Sequence, residues 1–197
     1  MGHAVGQLDM RKFDYAKRAR AVNEAQAAVN AAFEQVYRRS EDDPATRRWT
    51  DAIALFNLAC ERAYPHPLRE VVQGVTKVSD LESSDILDFL EADPMFFRSG
   101  YMKERLLREI KKRSLGIGDR SRLQTIIEEF VERADYRREF LDYCRAAVSV
   151  DDRHLRDRLY RLAHSDDDRV ALRANRVLAA LDGRWIELKA SMRRSLY

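Results

Sequence analysis

The sequence predicts an all-α protein of stacked antiparallel helix pairs with N- and C-terminal capping helices, and three observations carry that reading. Apolar residues recur at helical spacing along most of the 197 residues, as expected of amphipathic helices that bury one stripe. Ala, Leu, Arg and Glu are frequent while the chain holds only 7 Gly and 4 Pro, a composition that favours helix over sheet. From Asp119 to Leu181 the pattern reads as two successive helix pairs. A shift of 32 residues places Leu123 on Leu155, Ile127 on Leu159, Phe130 on Leu162 and Val131 on Ala163. A unit that duplicates itself points to a repeat array, whose neighbours bury a shared core and present a continuous surface. The chain is read as a single all-α domain over 1–197, with an N-terminal helical part over 9–92 and the helix pairs over 93–197.

Taken in order, Phe13, Val22, Val29, Phe33, Val36 and Tyr37 predict a long amphipathic helix from Asp9 to about Arg39. Its small-residue stripe, Ala21, Ala25, Ala28 and Ala32, permits close helix approach, either within the chain or in a homo-oligomer. Ser40 to Asp43 break that helix, and the acidic residues followed by Pro44 supply cap chemistry for a second. Trp49, Ile53, Phe56, Cys60 and Ala63 form its inner stripe, and Pro65 with Pro67 end it. A shorter helix is expected over Leu68 to Val78, then one carrying Ile86, Leu87, Phe89 and Leu90, with competing caps at Ser79 and at Ser83 and Ser84. Asp93 and Pro94 stop it. Ser99 is placed as the cap of a helix with Met102, Leu106, Leu107 and Ile110 inward, ended by Gly116 and Gly118. Asp119 is placed as the next cap, for Leu123, Ile126, Ile127, Phe130 and Val131, and its partner carries Phe140, Tyr143, Cys144, Ala147 and Val148. The second pair carries Leu155, Leu159, Leu162 and Ala163, then Val170, Ala174, Val177, Leu178 and Leu181. Gly183 precedes a closing helix with Trp185, Ile186, Leu188 and Met192.

Asp168, Val170, Leu172, Arg173, Ala174, Leu178 and Leu181 resemble the second helix of a HEAT-type repeat. The resemblance covers that unit well and the preceding one loosely. It implies a short, curved α-solenoid with an inner binding face, in which the Asp and Arg positions ladder neighbouring units together. Some DNA glycosylases share this architecture, but they need a catalytic acid among aromatic clamps. With only Trp49 and Trp185 as tryptophans here, the resemblance carries no catalytic residue across.

Charge is segregated along the chain. Residues 66–97 hold 2 basic and 7 acidic side chains, whereas residues 98–122 hold 9 basic and 3 acidic ones. Lys103, Arg105, Arg108, Lys111, Lys112 and Arg113 fall mostly on the face away from Leu106, Leu107 and Ile110, where a phosphate backbone or an acidic protein surface would lie. Arg98, Tyr101, Arg137 and Arg138 complete the candidate contacts, with Phe96, Phe97 and Tyr101 as rings able to stack on bases. Tyr136, Arg193 and Arg194 would extend that surface. The competing reading is a solvated helix face neutralised by Glu104, Glu109 and the acidic helix before it.

No motif for chemistry stands out. His3, His66, His154 and His164 show no metal-ligand spacing, and Asp166, Asp167 and Asp168 read as a helix cap rather than a calcium loop. Gly116 and Gly118 are followed by Asp119 rather than by the Lys and hydroxyl of a nucleotide loop, and no strained nucleophile turn marks a serine. Cys60 and Cys144 sit on apolar stripes and read as reduced, buried thiols. Met1 to Met10 lack a signal-like apolar core and no segment is long enough to span a bilayer, so a soluble cytoplasmic protein is expected. The function expected is a non-enzymatic helical interaction module, an adaptor, regulator or inhibitor with a protein partner and no cofactor. The alternative is a HEAT-like nucleic-acid-binding protein.

Overall fold

A computed structural model describes residues 13–36, 43–135 and 137–194. Among the described residues the protein is all-helical, with ten α-helices, one 3-10 turn and no strand. It divides into two compact units, Met1–His66 and Pro67–Tyr197. That division falls at the start of α3, just after Ala63, Tyr64 and Pro65 separate it from the preceding helix, upstream of the 92/93 boundary read from the pattern.

The first unit is a helical hairpin. Helix α1 (Tyr15–Glu34) is capped by Asp14, whose carboxylate accepts from the Lys17 amide at 2.8 Å. Helix α2 (Pro44–Arg62) is capped by Asp43, which accepts from the Ala45 amide at 2.8 Å, with Pro44 in the first turn where its missing N–H costs nothing. The helices pack along Tyr15, Ala19, Val22 and Ala45, all buried, and the Phe33 and Trp49 rings lie 5.5 Å apart. Of the alanine stripe, Ala25 and Ala32 are half-buried while Ala21 and Ala28 are exposed. Tyr37 and Ser40 to Asp42 lie outside the described residues, as does the expected start at Asp9.

In the second unit, helix α3 (His66–Gln73) and a 3-10 turn (Val78–Asp80) lead into α4 (Ser83–Ala92), α5 (Ser99–Ile110), α6 (Ile117–Glu132), α7 (Phe140–Ser149), α8 (Arg153–Leu162), α9 (Asp168–Leu181) and α10 (Trp185–Arg194). Helix α4 packs on α5, α6 on α7, and α8 on α9. The first members of these pairs also touch in the order α4, α6, α8, and the second members in the order α5, α7, α9, followed by α10. The core between the rows consists of the stripes expected: Ile86, Leu87, Phe89 and Leu90 on α4, Leu106, Leu107 and Ile110 on α5, and Leu123, Ile127 and Phe130 on α6. Tyr143 and Cys144 on α7, Leu155 and Leu159 on α8, and Ala174 and Val177 on α9 continue it. The duplicated positions Leu155 and Leu159 are buried like Leu123 and Ile127, while Leu162 and Ala163 are only half-buried. Ion pairs also join the first members of neighbouring pairs: Arg122 of α6 bonds Asp88 and Glu91 of α4 at 2.7 and 2.6 Å, and Arg158 of α8 lies 3.0 Å from Glu128 of α6.

Several local expectations change. Helix α6 starts at Ile117 after Gly116, so Asp119 sits in its first turn and Gly118 is helical rather than a stop. Ser99 is the first helical residue of α5 and its hydroxyl accepts from the Phe96 amide at 3.2 Å, while Arg98 takes the cap position in a left-handed conformation. Pro67 lies in the first turn of α3 instead of ending α2, as proline tolerates a first turn. Val148 and Ile186 are exposed, because each lies near a helix terminus beyond the covered stripe. Gly183 turns the chain from α9 into α10 at φ 72°.

Among the described residues three non-glycine residues also occupy the left-handed region: Asp93 (φ 42°), Arg98 (φ 66°) and Ala134 (φ 53°). Alanine in that region is strained by about 1 kcal/mol. Ala134→Gly is therefore expected to raise the unfolding free energy by up to about 1 kcal/mol in a urea titration, with no change in helical circular dichroism.

Candidate functional site

Side-chain chemistry in the second unit is organised around one carboxylate. Asp93 ends α4, and its left-handed backbone turns the chain so that its side chain is buried. Oδ1 accepts from the Lys103 ammonium of α5 at 2.5 Å. Oδ2 accepts from Arg133, just past α6, and from Arg137, in the loop before α7, the latter at 2.5 Å. Glu139 lies 3.9 Å from Lys103 on the other side. Gly100 permits this approach, since a Cβ there would stand 3.2 Å from the Glu139 carboxylate and 3.6 Å from Arg138. One carboxylate thus ties together α4, α5 and both ends of the α6–α7 connection.

Burial alone would raise the Asp93 pKa, but Lys103 and Arg137 together outweigh it and hold the carboxyl below the ordinary value of 3.8. Lys103 shifts down as well. Its burial costs more than the attraction of Asp93 and Glu139 returns, and Arg137 repels it. The two directions agree physically, because Asp93 faces three cations whereas Lys103 is bonded closely to one anion.

The basic stretch therefore divides according to what each side chain touches. Lys103, expected on the outer face, is fully buried, because at the start of α5 its row faces the α6–α7 connection rather than solvent. Arg113 is spent on the turn before α4, donating to the carbonyls of Leu81 (2.7 Å), Ser79 (3.2 Å) and Val78 (3.3 Å). Arg137 is held between Asp93 and Asp135, and Lys112 pairs with Glu109 at 3.3 Å. Neither buried Lys103 nor Arg113 offers a contact to a partner. Arg98, Arg105 and Lys111 form no ion pair among the described residues, although the Arg98 guanidinium lies 5.0 Å from the centre of the Phe97 ring. Phe96 is buried.

Three other candidates, Tyr101, Arg108 and Arg138, come together with Arg145 as a patch across α5 and the start of α7. Arg108 forks onto Asp142 at 3.1 and 3.3 Å and reaches Glu104 at 3.1 Å. Arg138 bonds Glu104 at 2.5 Å and lies 3.8 Å over the Tyr101 ring, and Arg145 of α7 bonds Asp142 at 3.0 Å. The carboxylates are buried while Arg108, Arg138 and Tyr101 are each about half exposed. Each long side chain is thus fixed from beneath, which removes rotamer entropy before any partner arrives. Tyr136 lies outside the described residues, as do the side chains of Arg193 and Arg194.

The sequence reading missed Asp93, Glu139, Asp142 and Arg145. Asp93 looked like a helix stop, and only the proximity of Lys103, ten residues on, marked it as a charge partner. Arg173, assigned through the resemblance to a ladder, does reach the preceding pair: it donates to the carbonyls of Phe130 (2.5 Å) and Asp135, while Asp168 is exposed in the first turn of α9. Cys144 is buried and burial pushes its thiol up to about 12, leaving it unreactive near neutral pH, whereas Cys60 is half-buried. No group of His, Cys, Asp or Glu suited to a metal occurs among the described residues, and none of their helices is long and apolar enough to cross a membrane.

Asp93→Asn keeps a residue that tolerates the left-handed turn but leaves buried cations without their anion, so a loss of about 3 kcal/mol is expected in urea unfolding. Because the folded pKa lies below 3.8, the wild-type stabilisation is complete above that value and drains as pH falls through the folded one. Asp93→Asn should accordingly lose less stability than wild type between about pH 5 and about pH 2. No protein family, curated protein sequence or solved structure matches the chain.

Proposed function

We propose that the chain is a non-enzymatic interaction module, with its helix pairs stacked as a short HEAT-like solenoid and its binding face on α5 and α7. The two-row order of helix contacts supports the solenoid reading. The observation that carries the functional reading is the array of Tyr101, Arg108, Arg138 and Arg145, half exposed and held in fixed positions by the buried Glu104 and Asp142. Tyr and Arg dominate protein interfaces because they cover large area with little entropy to lose, and here that entropy is already spent. An acidic protein surface is the complementary partner, able to meet guanidinium edges that Glu104 and Asp142 leave unmet.

The nucleic-acid alternative draws less support from the same geometry. A phosphate backbone is held best by a continuous track of cations, and the candidate stretch is interrupted: Lys103 is buried on Asp93, Arg113 is taken up by carbonyls and Arg137 by Asp93 and Asp135. Arg98, Arg105 and Lys111 are the candidates that form no ion pair among the described residues.

The test compares immobilised wild type with Tyr101→Ala combined with Arg138→Ala in capture from an extract of the source cell. A protein retained by wild type and bound about 30-fold more weakly by the variant is the expected result, as removing hot-spot contacts worth about 2 kcal/mol would give. Equal recovery on both would contradict the reading. Salt-sensitive binding of labelled DNA or RNA, abolished by Arg105→Glu with Lys111→Glu, would favour the alternative instead.

A further inference from the structure

A second site lies away from the α5–α7 patch, where the α6–α7 loop, α9 and α10 enclose a cleft of about 410 Å³. Its volume is within the range of small-molecule sites. The cationic wall is Arg137, Arg169, Arg173 and Arg176, with Asp135 the one acid among the lining residues. The apolar wall includes Phe140, Leu172 and Met192.

The charges of these arginines are met unequally. Arg137 is answered by Asp93 and Asp135. Arg173 is buried, yet its bonds run to neutral backbone carbonyls, and its guanidinium lies 4.5 and 4.9 Å from the Phe130 and Phe140 ring centres. Its Nε–H is buried without a partner, as is that of Arg137. Burial first, and then repulsion from Arg137, pushes Arg173 down to about 10, so it remains a cation at neutral pH but an under-compensated one. Arg169 is exposed at the mouth and forms no ion pair among the described residues. Arg176 donates to the hydroxyl and carbonyl of Ser191 at 3.0 and 2.7 Å. A buried guanidinium with no carboxylate costs several kcal/mol in desolvation, which a bound anion would recover.

We infer that this cleft is an anion site for a phosphate monoester carrying an apolar body, with the phosphate between Arg169 and Arg173 and the body against Phe140, Leu172 and Met192. Two cations without carboxylate partners match a group that carries about two negative charges near neutral pH, which a carboxylate does not. The guanidinium fork matches phosphate oxygens in pairs. The apolar wall selects against inorganic phosphate, which has nothing to place there. A shallower groove of about 200 Å³ between α9 and α10 shares Leu172 and Arg176 and gives the apolar body room to extend. This inference stands independently of the α5–α7 interface.

The experiment is isothermal titration of the full chain with phenyl phosphate, inorganic phosphate and benzoate, using wild type, Arg169→Ala, Leu172→Trp and Arg105→Ala. Arg169 and Leu172 are exposed at the cleft rim, so these variants should fold, which circular dichroism checks. Phenyl phosphate should bind saturably and more tightly than either other probe. Arg169→Ala should weaken it about tenfold, Leu172→Trp should block it, and Arg105→Ala should leave it unchanged. Absence of saturable phenyl phosphate binding would overturn the inference. So would binding indifferent to Arg169→Ala and Leu172→Trp, or benzoate binding as tightly as phenyl phosphate.

Discussion

The Asp93 carboxylate is the constraint on which the second unit depends. Two helix pairs meet around it: α4 ends in it, α5 supplies Lys103, and the α6–α7 connection supplies Arg133 and Arg137. A buried anion in this position is expensive unless several donors meet it, and the donors are equally expensive without it. The cluster therefore holds the α4–α5 and α6–α7 pairs in one relation, which packing of Leu and Ile alone would specify less sharply. Asp93 itself and Ala134, which follows Arg133, both adopt left-handed backbone, so strain falls where the polar contacts over-determine the conformation.

That arrangement also explains the charge pattern. The acidic segment before residue 98 and the basic segment after it are neighbours in space as well as in sequence, and they neutralise each other through Lys103 with Asp93 and Arg122 with Asp88 and Glu91. Much of the apparent basic face is consumed within the fold. Beside the unpaired Arg98, Arg105 and Lys111, two groups of arginines stand out: those fixed by buried carboxylates on α5 and at the start of α7, and those at α9 whose charge the protein leaves under-compensated. The first kind suits a shaped protein surface. The second suits a compact anion.

Much of the architecture was legible because amphipathic spacing is a local signal. The buried stripes at Leu106, Leu107 and Ile110, at Leu123 and Ile127, and at Leu155 and Leu159 follow directly from it, as does the Asp43–Pro44 helix start. Helix ends were less legible, since Asp119 and Ser99 have cap chemistry but Asp119 lies inside a helix that begins at Ile117 and Ser99 is itself the first helical residue of α5. The charged residues were the least legible. Helical rows put Lys103 beside Lys111 on an outer face, but whether such a row meets water or another helix depends on a contact with residues about 35 positions away, here Arg137 and Glu139. Arg173 and Arg176 faced the same difficulty: their pattern marks the helix, and only the packing of α9 on α7 and α10 turns them into the wall of a cleft.

The most direct test of this account is the titration of Asp93 itself, followed through its side-chain carboxyl carbon by NMR with Asp93→Asn to assign the resonance. Lys103 and Arg137, set against the burial of the carboxyl, hold its folded pKa below 3.8. A midpoint at or above that value would mean that burial outweighs the cations, and that Asp93 is not the anion holding the helix pairs together.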